Sequence, residues 1–251
     1  MKVAFFYCSL LFSGIQLMAQ DKVDYIKVSE ELLYAVKTDK TVTDFILKLN
    51  QVSKLELALQ LQTDADKKVF WLNIYNAFIQ ISLIENPGAY KSRNKFFSNK
   101  FIHIAGQSLS LDCIEHGILR RSMAKYSLGY FRKPFKSKFE KQFRVAHLDY
   151  RIHFALNCGA KSCPPIAFYT PEKIDKQLDL ATRAYLKNEV IFNKEKNTVE
   201  LPAILSWFRG DFGGKKGIFH LLYQQQLIPE NVRPKIKWKK YNWGLALKAF
   251  E

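Results

Sequence analysis

Apolar residues recur along most of the chain at intervals of three and four, and only short stretches alternate in the two-residue period of a strand. In "DYIKVSEELLYAVK", Tyr25, Val28, Leu32 and Val36 fall on one helical face, and "VTDFILKLNQV" and "SKLELALQLQ" continue in the same period. "DADKKVFWLNIYNAFIQISLIENPG" is the strongest helix, with acids in its first turn and Asn86-Pro87-Gly88 as its stop. Asn73, Asn76 and Gln80 lie at i, i+3 and i+7 on this otherwise apolar segment. Buried amides must find partners, so the stripe either braces a loop or lines a pocket.

Downstream, "KFIHIAGQSLSL" predicts a hairpin turning at Ala105-Gly106-Gln107. "LDCIEHGILRR" predicts a helix with Asp112 as N-cap and Glu115 three residues on. On it Cys113, His116 and Arg120 share a face beside the apolar Leu111, Ile114 and Ile118. "RIHFAL" alternates like a half-buried strand, with Ile152, Phe154 and Leu156 inward, Arg151 and His153 on the polar face, and Asn157 just beyond. "TPEKIDKQLDLATRAYLKNEV" predicts a helix capped by Thr170 with Pro171 at its first position. "VIFNKEKNTVELP" reads as a second hairpin, "AILSWFRGDFGG" as a short helix ending in glycines, and "IKWKKYNWGLAL" as a strand and a turn. The fold class that follows is α+β, a mostly helical single domain with a small, mainly antiparallel sheet. Residues 20–62 form an N-terminal helical arm and 63–251 the globular domain.

The first residues read as a targeting segment. Lys2 is followed by an uncharged run from Val3 to Met18 and by Ala19 at a cleavage position, the pattern of a signal peptide over 1–19. The run is too short and too broken by Ser and Gly for a membrane span. Export to the periplasm or beyond is the expected location. A hydrophobic fraction of 48% with 14% aromatics excludes a disordered chain.

Net charge is +16. Between Lys91 and Arg144 thirteen basic residues face only Asp112, Glu115 and Glu140, with aromatics interleaved. On a cytoplasmic protein this would suggest nucleic acid. For an exported chain it suggests no nucleic-acid partner, but a solvated basic face compatible with peripheral contact to an anionic membrane.

Candidate chemistry concentrates in "RIHFALNCGAKSCPPIAFY". Before the cysteines are weighed, the wider pattern matters. "FWLNIYNAFI", "LSLDCIEHGILR", this cysteine segment, "VELPAILSWFRGDFGG" and "YNWGLAL" resemble, in order and spacing, the bacterial branch of the domain of unknown function 547 family, from about Val69 to Leu247. The resemblance implies an exported or membrane-associated protein with no settled activity, related to plant and animal chains joined to coiled-coil or glutaredoxin-like modules. It marks Asn76, Glu115, His116, Arg120, Arg151, His153, Cys158, Ser162, Cys163 and Pro164 as characteristic positions; Cys113 is not among them.

Three readings of the loop compete. In one, Cys163 or Cys158 is a nucleophile activated by His116 or His153, with Glu115, Asn157 or Asn76 orienting the imidazole. Arg151 or the Gly159-Ala160 amides would polarise the substrate, and Arg120, Asn157 and Ser162 would help hold it. In the second, Cys158 and Cys163 form a disulfide that shapes the loop, structural or redox-active, as an oxidising compartment favours. In the third, Cys113, His116, Cys158 and Cys163 hold a structural zinc, whose ligand count and types they match; otherwise no cofactor is expected. Function is accordingly expected to be cysteine-dependent hydrolysis or acyl/amide transfer on a cell-envelope peptide, protein or glycan. The alternative is a non-catalytic envelope-binding or scaffold module.

Overall fold

A computed structural model describes residues 22–250. The expected signal peptide lies outside the described residues. No helix among them is long and apolar enough to cross a membrane.

Helices α1 (Tyr25–Lys37), α2 (Thr43–Gln51) and α3 (Lys54–Gln60) form the N-terminal part. Asp24 caps α1 by accepting the Lys27 N–H. Tyr25, Val28, Leu32 and Val36 are buried as their spacing predicts. They join one core with α4 (Asp64–Glu85), so the N-terminal helices lie against the domain rather than apart from it.

Helix α4 is the axis of the molecule. Thr63 and Asp66 close its first turn reciprocally, each side chain taking the other's backbone N–H, and Asn86 ends it. From Lys68 to Gln80 every side chain is buried, because neighbours surround the helix on all sides. A 3-10 turn (Pro87–Ser92) and α5 (Arg93–Ser98) lead to the predicted hairpin, β1 (Ile102–Ile104) and β2 (Gln107–Leu109).

Two predicted elements take other forms. Residues Cys113–Leu119 are π-helical: the Arg120 N–H reaches back to Glu115 O at 2.8 Å, and Ser122 N–H to Gly117 O at 2.8 Å. Asp112 is not the N-cap; its backbone is already helical, and Ser110 Oγ takes the Cys113 N–H instead. Residues Tyr150–Phe154 are a 3-10 helix and not a strand. Asp149 initiates the turn by accepting the Arg151 N–H at 3.1 Å. The alternation expected of "RIHFAL" therefore fails, and Ile152 to Leu156 are all buried.

After α6 (Lys138–Phe143) and the cysteine loop comes α7 (Ile174–Glu189), which starts three residues later than predicted. Thr170 and Pro171 belong to a preceding turn closed by Lys173 N–H to Thr170 O, and Thr170 is not the cap. Strands β3 (Ile191–Asn193) and β4 (Thr198–Leu201) pair antiparallel, and β5 (Lys235–Trp238) adds to β4 in parallel. Helix α8 (Ala203–Trp207) is as expected, whereas α9 (Gly214–Gln224) is an addition. A second core forms around α7, β4, α8 and α9, touched by Phe154. The architecture is mostly helical α+β, as the periodicity indicates.

Candidate functional site

The amide stripe of α4 braces the cysteine segment from below. Asn76 Nδ2 donates to Ala155 O at 2.9 Å, and its Oδ1 accepts the Asn157 N–H at 2.9 Å. Asn157 Oδ1 accepts from Gln80 and from the Gly159 N–H, and its amide nitrogen donates to Pro164 O at 2.7 Å. Asn73 reaches the backbone of Tyr169 on both sides. Asn76 and Asn157 are fully buried. Their polar atoms are occupied in holding the loop, and neither lines the cavity described below.

The C-terminal tail straps the loop from above. Lys161 N–H meets Gly244 O, Ala246 N–H meets Gly159 O, and Ile166 N–H meets Ala249 O. Ser162 belongs to this strap, its Oγ accepting the Asn242 N–H at 2.9 Å. Between brace and strap, Cys158 and Cys163 are joined by a disulfide. In this state neither sulfur is the free thiolate that the nucleophilic and zinc readings require. Cys113 alone is free among the described cysteines, and it does not line the cavity.

Beside the loop is a cavity of about 380 Å³. It is lined by Asp112, Glu115 and His116 at the start of the π-helical turn and by the aromatic side chains of Trp207, Phe208, Tyr241 and Trp243. Cys158, His153 and Lys125 complete the polar part. Trp207 stacks on Trp243 at 5.6 Å, and Tyr241 packs at 4.8 Å from Trp207 and 4.6 Å from Trp243, forming a continuous aromatic shelf.

Behind this cavity lies an ionic cluster. Arg120, fully buried, grips Asp211 with two hydrogen bonds, Nε to Oδ2 at 2.6 Å and Nη2 to Oδ1 at 3.1 Å. His153 Nε2 donates to Asp211 Oδ2 at 2.8 Å, and its ring stacks on Phe208 at 4.0 Å. Burial would raise the Asp211 carboxyl, but the His153 and Arg120 bonds overcome it and hold it below the usual range. Burial lowers His153 despite the opposing pull of its acidic partner.

Arg120 also orders His116. Its Nη1 lies 3.0 Å from His116 Nδ1, and a guanidinium only donates, so Nδ1 accepts and the ring proton sits on Nε2. Nε2 lies 3.6 Å from Asp112 Oδ1. Burial, with the positive charge of Arg120 next, keeps His116 well below its ordinary value. Glu115 accepts from the Tyr75 hydroxyl at 3.4 Å. Burial raises its carboxyl to about 7, with Arg120 opposing. Its side chain is only 15% exposed. The cavity thus presents a carboxyl poised between its two forms beside a neutral imidazole.

Arg151 is not part of this arrangement. It pairs with Asp149, Asp175 and Asp179 across the 3-10 turn and α7, beside Lys68, and lines a separate polar depression. Burial would raise Asp149, yet Arg151 and Lys68 hold it down to about 2. The structure therefore brings together Glu115, His116, His153 and Cys158, places Arg120 and Cys163 just behind them, and leaves Arg151 outside. Asp112, Asp211, Trp207, Tyr241 and Trp243 complete the site. All lie within motifs visible in the sequence, but their roles depend on chain crossings that spacing does not encode.

A family model described as "Protein of unknown function, DUF547" matches residues 59–186, half of the chain. No curated protein and no solved structure matches.

Proposed function

The chain belongs to this family of unknown function, and from that premise we propose that it is a hydrolase or acyl/amide transferase acting on a cell-envelope peptide or glycan by acid–base exchange at Glu115. The observation that carries the reading is the convergence of Glu115, His116 and Asp112 in a concave, aromatic-lined cavity. The leader-like start of the sequence supports export, and with it an envelope substrate.

A carboxyl held near 7 serves either direction of proton transfer at neutral pH. As an acid, Glu115 protonates a leaving oxygen or nitrogen; as a base, it takes a proton from an attacking water or amine. Tyr75 fixes one carboxyl oxygen, and His116 adds an Nε2–H whose direction Arg120 imposes. Lys125 supplies a cation in the same cavity. The shelf of Trp207, Tyr241 and Trp243 suits the flat apolar face of a sugar ring or a peptide side chain. In this scheme the disulfide frames the cavity and does not attack substrate.

The test is product formation from a panel of soluble envelope glycans, glycopeptides and peptides, read by mass. Glu115→Gln is expected to lose about 100-fold or more of the wild-type rate. Turnover that survives Glu115→Gln undiminished would refute the assignment. Tight binding with no turnover by either protein would refute it in favour of a non-catalytic binding module.

A further inference from the structure

The acid–base reading leaves the Cys158–Cys163 bond without a role beyond shape, although its two sulfurs have unlike surroundings. Cys158 lines the cavity and Cys163 does not. Cys163 Sγ accepts the backbone N–H of Cys158 at 2.9 Å and of Ala160 at 3.2 Å, and the Tyr241 hydroxyl lies 3.2 Å from it. The same hydroxyl is 3.0 Å from Cys158 Sγ.

A disulfide sulfur is a weak acceptor and a thiolate a strong one. Three donors converging on one sulfur therefore favour its charged, reduced form over its bonded form. Burial keeps the Tyr241 phenol raised, so it remains a donor. The amides are held independently of the sulfur bond. Gly159 takes a φ of +81°, Asn157 receives its N–H at 2.9 Å, and the tail pairs with the loop on both sides of Ala160.

We propose that Cys158–Cys163 is a thiol–disulfide exchange centre that takes an external low-molecular-weight or protein thiol through the cavity. The incoming thiolate attacks Cys158 Sγ. The bond from Cys158 to Cys163 breaks as the bond from Cys158 to the incoming sulfur forms, and the electron pair departs on Cys163 into the three-donor nest. A second external thiolate attacks the incoming sulfur of this mixed disulfide and releases Cys158, which takes up a proton. Two external thiols are oxidised to one disulfide, and the cysteine pair gains two electrons. The reverse sequence reduces an external disulfide to two thiols and re-forms the Cys158–Cys163 bond through the same intermediates. This centre does not depend on Glu115 acting as acid or base.

The test uses the full chain with Cys8→Ser and Cys113→Ser, so that only the pair reports. Folded protein in the disulfide form is mixed with glutathione, quenched in acid, and digested for peptide masses. The expected product is glutathione on Cys158, formed without denaturant. Glutathione on Cys163, or reduction only after unfolding, would overturn the proposal. In the same background with Cys158→Ser, the rate of Cys163 alkylation should follow a pH midpoint at least about one unit below the ~8.5 of an ordinary thiol. Tyr241→Phe should move that midpoint upward. A midpoint at or above the ordinary value, with the far-ultraviolet spectrum unchanged, would also overturn it. Because these readouts follow sulfur alone, their failure is distinguishable from a failure of the envelope-substrate assay.

Discussion

Replacing Asp211 by Asn tests the cluster behind the cavity. Asp211 and Arg120 are 0% exposed at their side chains, and Asp211 accepts three hydrogen bonds, two from Arg120 and one from His153. Asparagine keeps the shape but removes the charge, and its amide nitrogen must face a donor. The Arg120 charge is then buried with no counter-ion, a loss of about 3–5 kcal/mol. At roughly 2–4 °C per kcal/mol for a chain of this size, the melting temperature should fall by about 10 °C. Urea unfolding at pH 7, followed by circular dichroism, gives the free energy directly. The penalty has a definite pH sign. Because the folded carboxyl is held low, its contribution is complete above the unfolded value near ~3.9 and is lost as acid carries the pH through the folded one. The difference between wild type and Asp211→Asn should therefore shrink towards pH 3. The pair Arg120→Met and Asp211→Leu supplies the control: removing both charges should cost less than the sum of the single changes by about 2 kcal/mol or more. A cost for Asp211→Asn below about 1 kcal/mol, or strict additivity of the pair, would refute the view that this is a buried, mutually dependent ion pair.

Two further outcomes follow from the site and the loop. Glu115 has a folded value of about 7 against an ordinary 4.5, so the folded state holds the proton more tightly; its contribution is full below the unfolded value and lost as pH rises through 7. The stability of wild type relative to Glu115→Gln, measured by urea titration from pH 4 to 8, should fall by up to roughly 3 kcal/mol, and a flat difference would refute the raised carboxyl. Gly159→Ala would strain a φ of +81° and place Cβ 2.6 Å from Leu83 Cδ1, a fully buried side chain. It should cost about 2 kcal/mol or more in urea unfolding, with partial recovery when Leu83→Ala is added; a neutral Gly159→Ala would show that the loop is not held as described.

Much of the fold is legible because its strongest elements obey one period over many turns. Helix α1 is of this kind; α4, buried on all sides, is legible instead from its length, its acidic first turn and its Asn86-Pro87-Gly88 stop, and its amide stripe braces a loop, one of the two roles that buried amides allow. The failures are short segments in which two periods coincide. "RIHFAL" alternates over too few residues to separate a strand from a 3-10 turn, and Asp149, just ahead of it, decides the matter. The π-helical turn preserves the apolar spacing of Leu111, Ile114 and Ile118 closely enough to read as α. The missed α9 starts with glycines that signal a stop before they permit a start. At the site, Glu115, His116, His153 and Cys158 are readable as residue types. Asp211 is not, because its meaning comes from Arg120, 91 residues earlier.

That long-range clasp bears on how relatives are to be sorted. The match to the family model ends at residue 186, yet Asp211, the aromatic shelf and the strap over the cysteine loop all follow it. A fragment cut at that boundary would retain the Arg120 charge and lose its counter-ion, and would open the cavity along one side. Chains gathered on the recognised stretch alone are therefore not sorted by the chamber. Those that carry an acid, two tryptophans and a tyrosine downstream can close the same chamber, and those that lack them share ancestry with this protein but not its chamber.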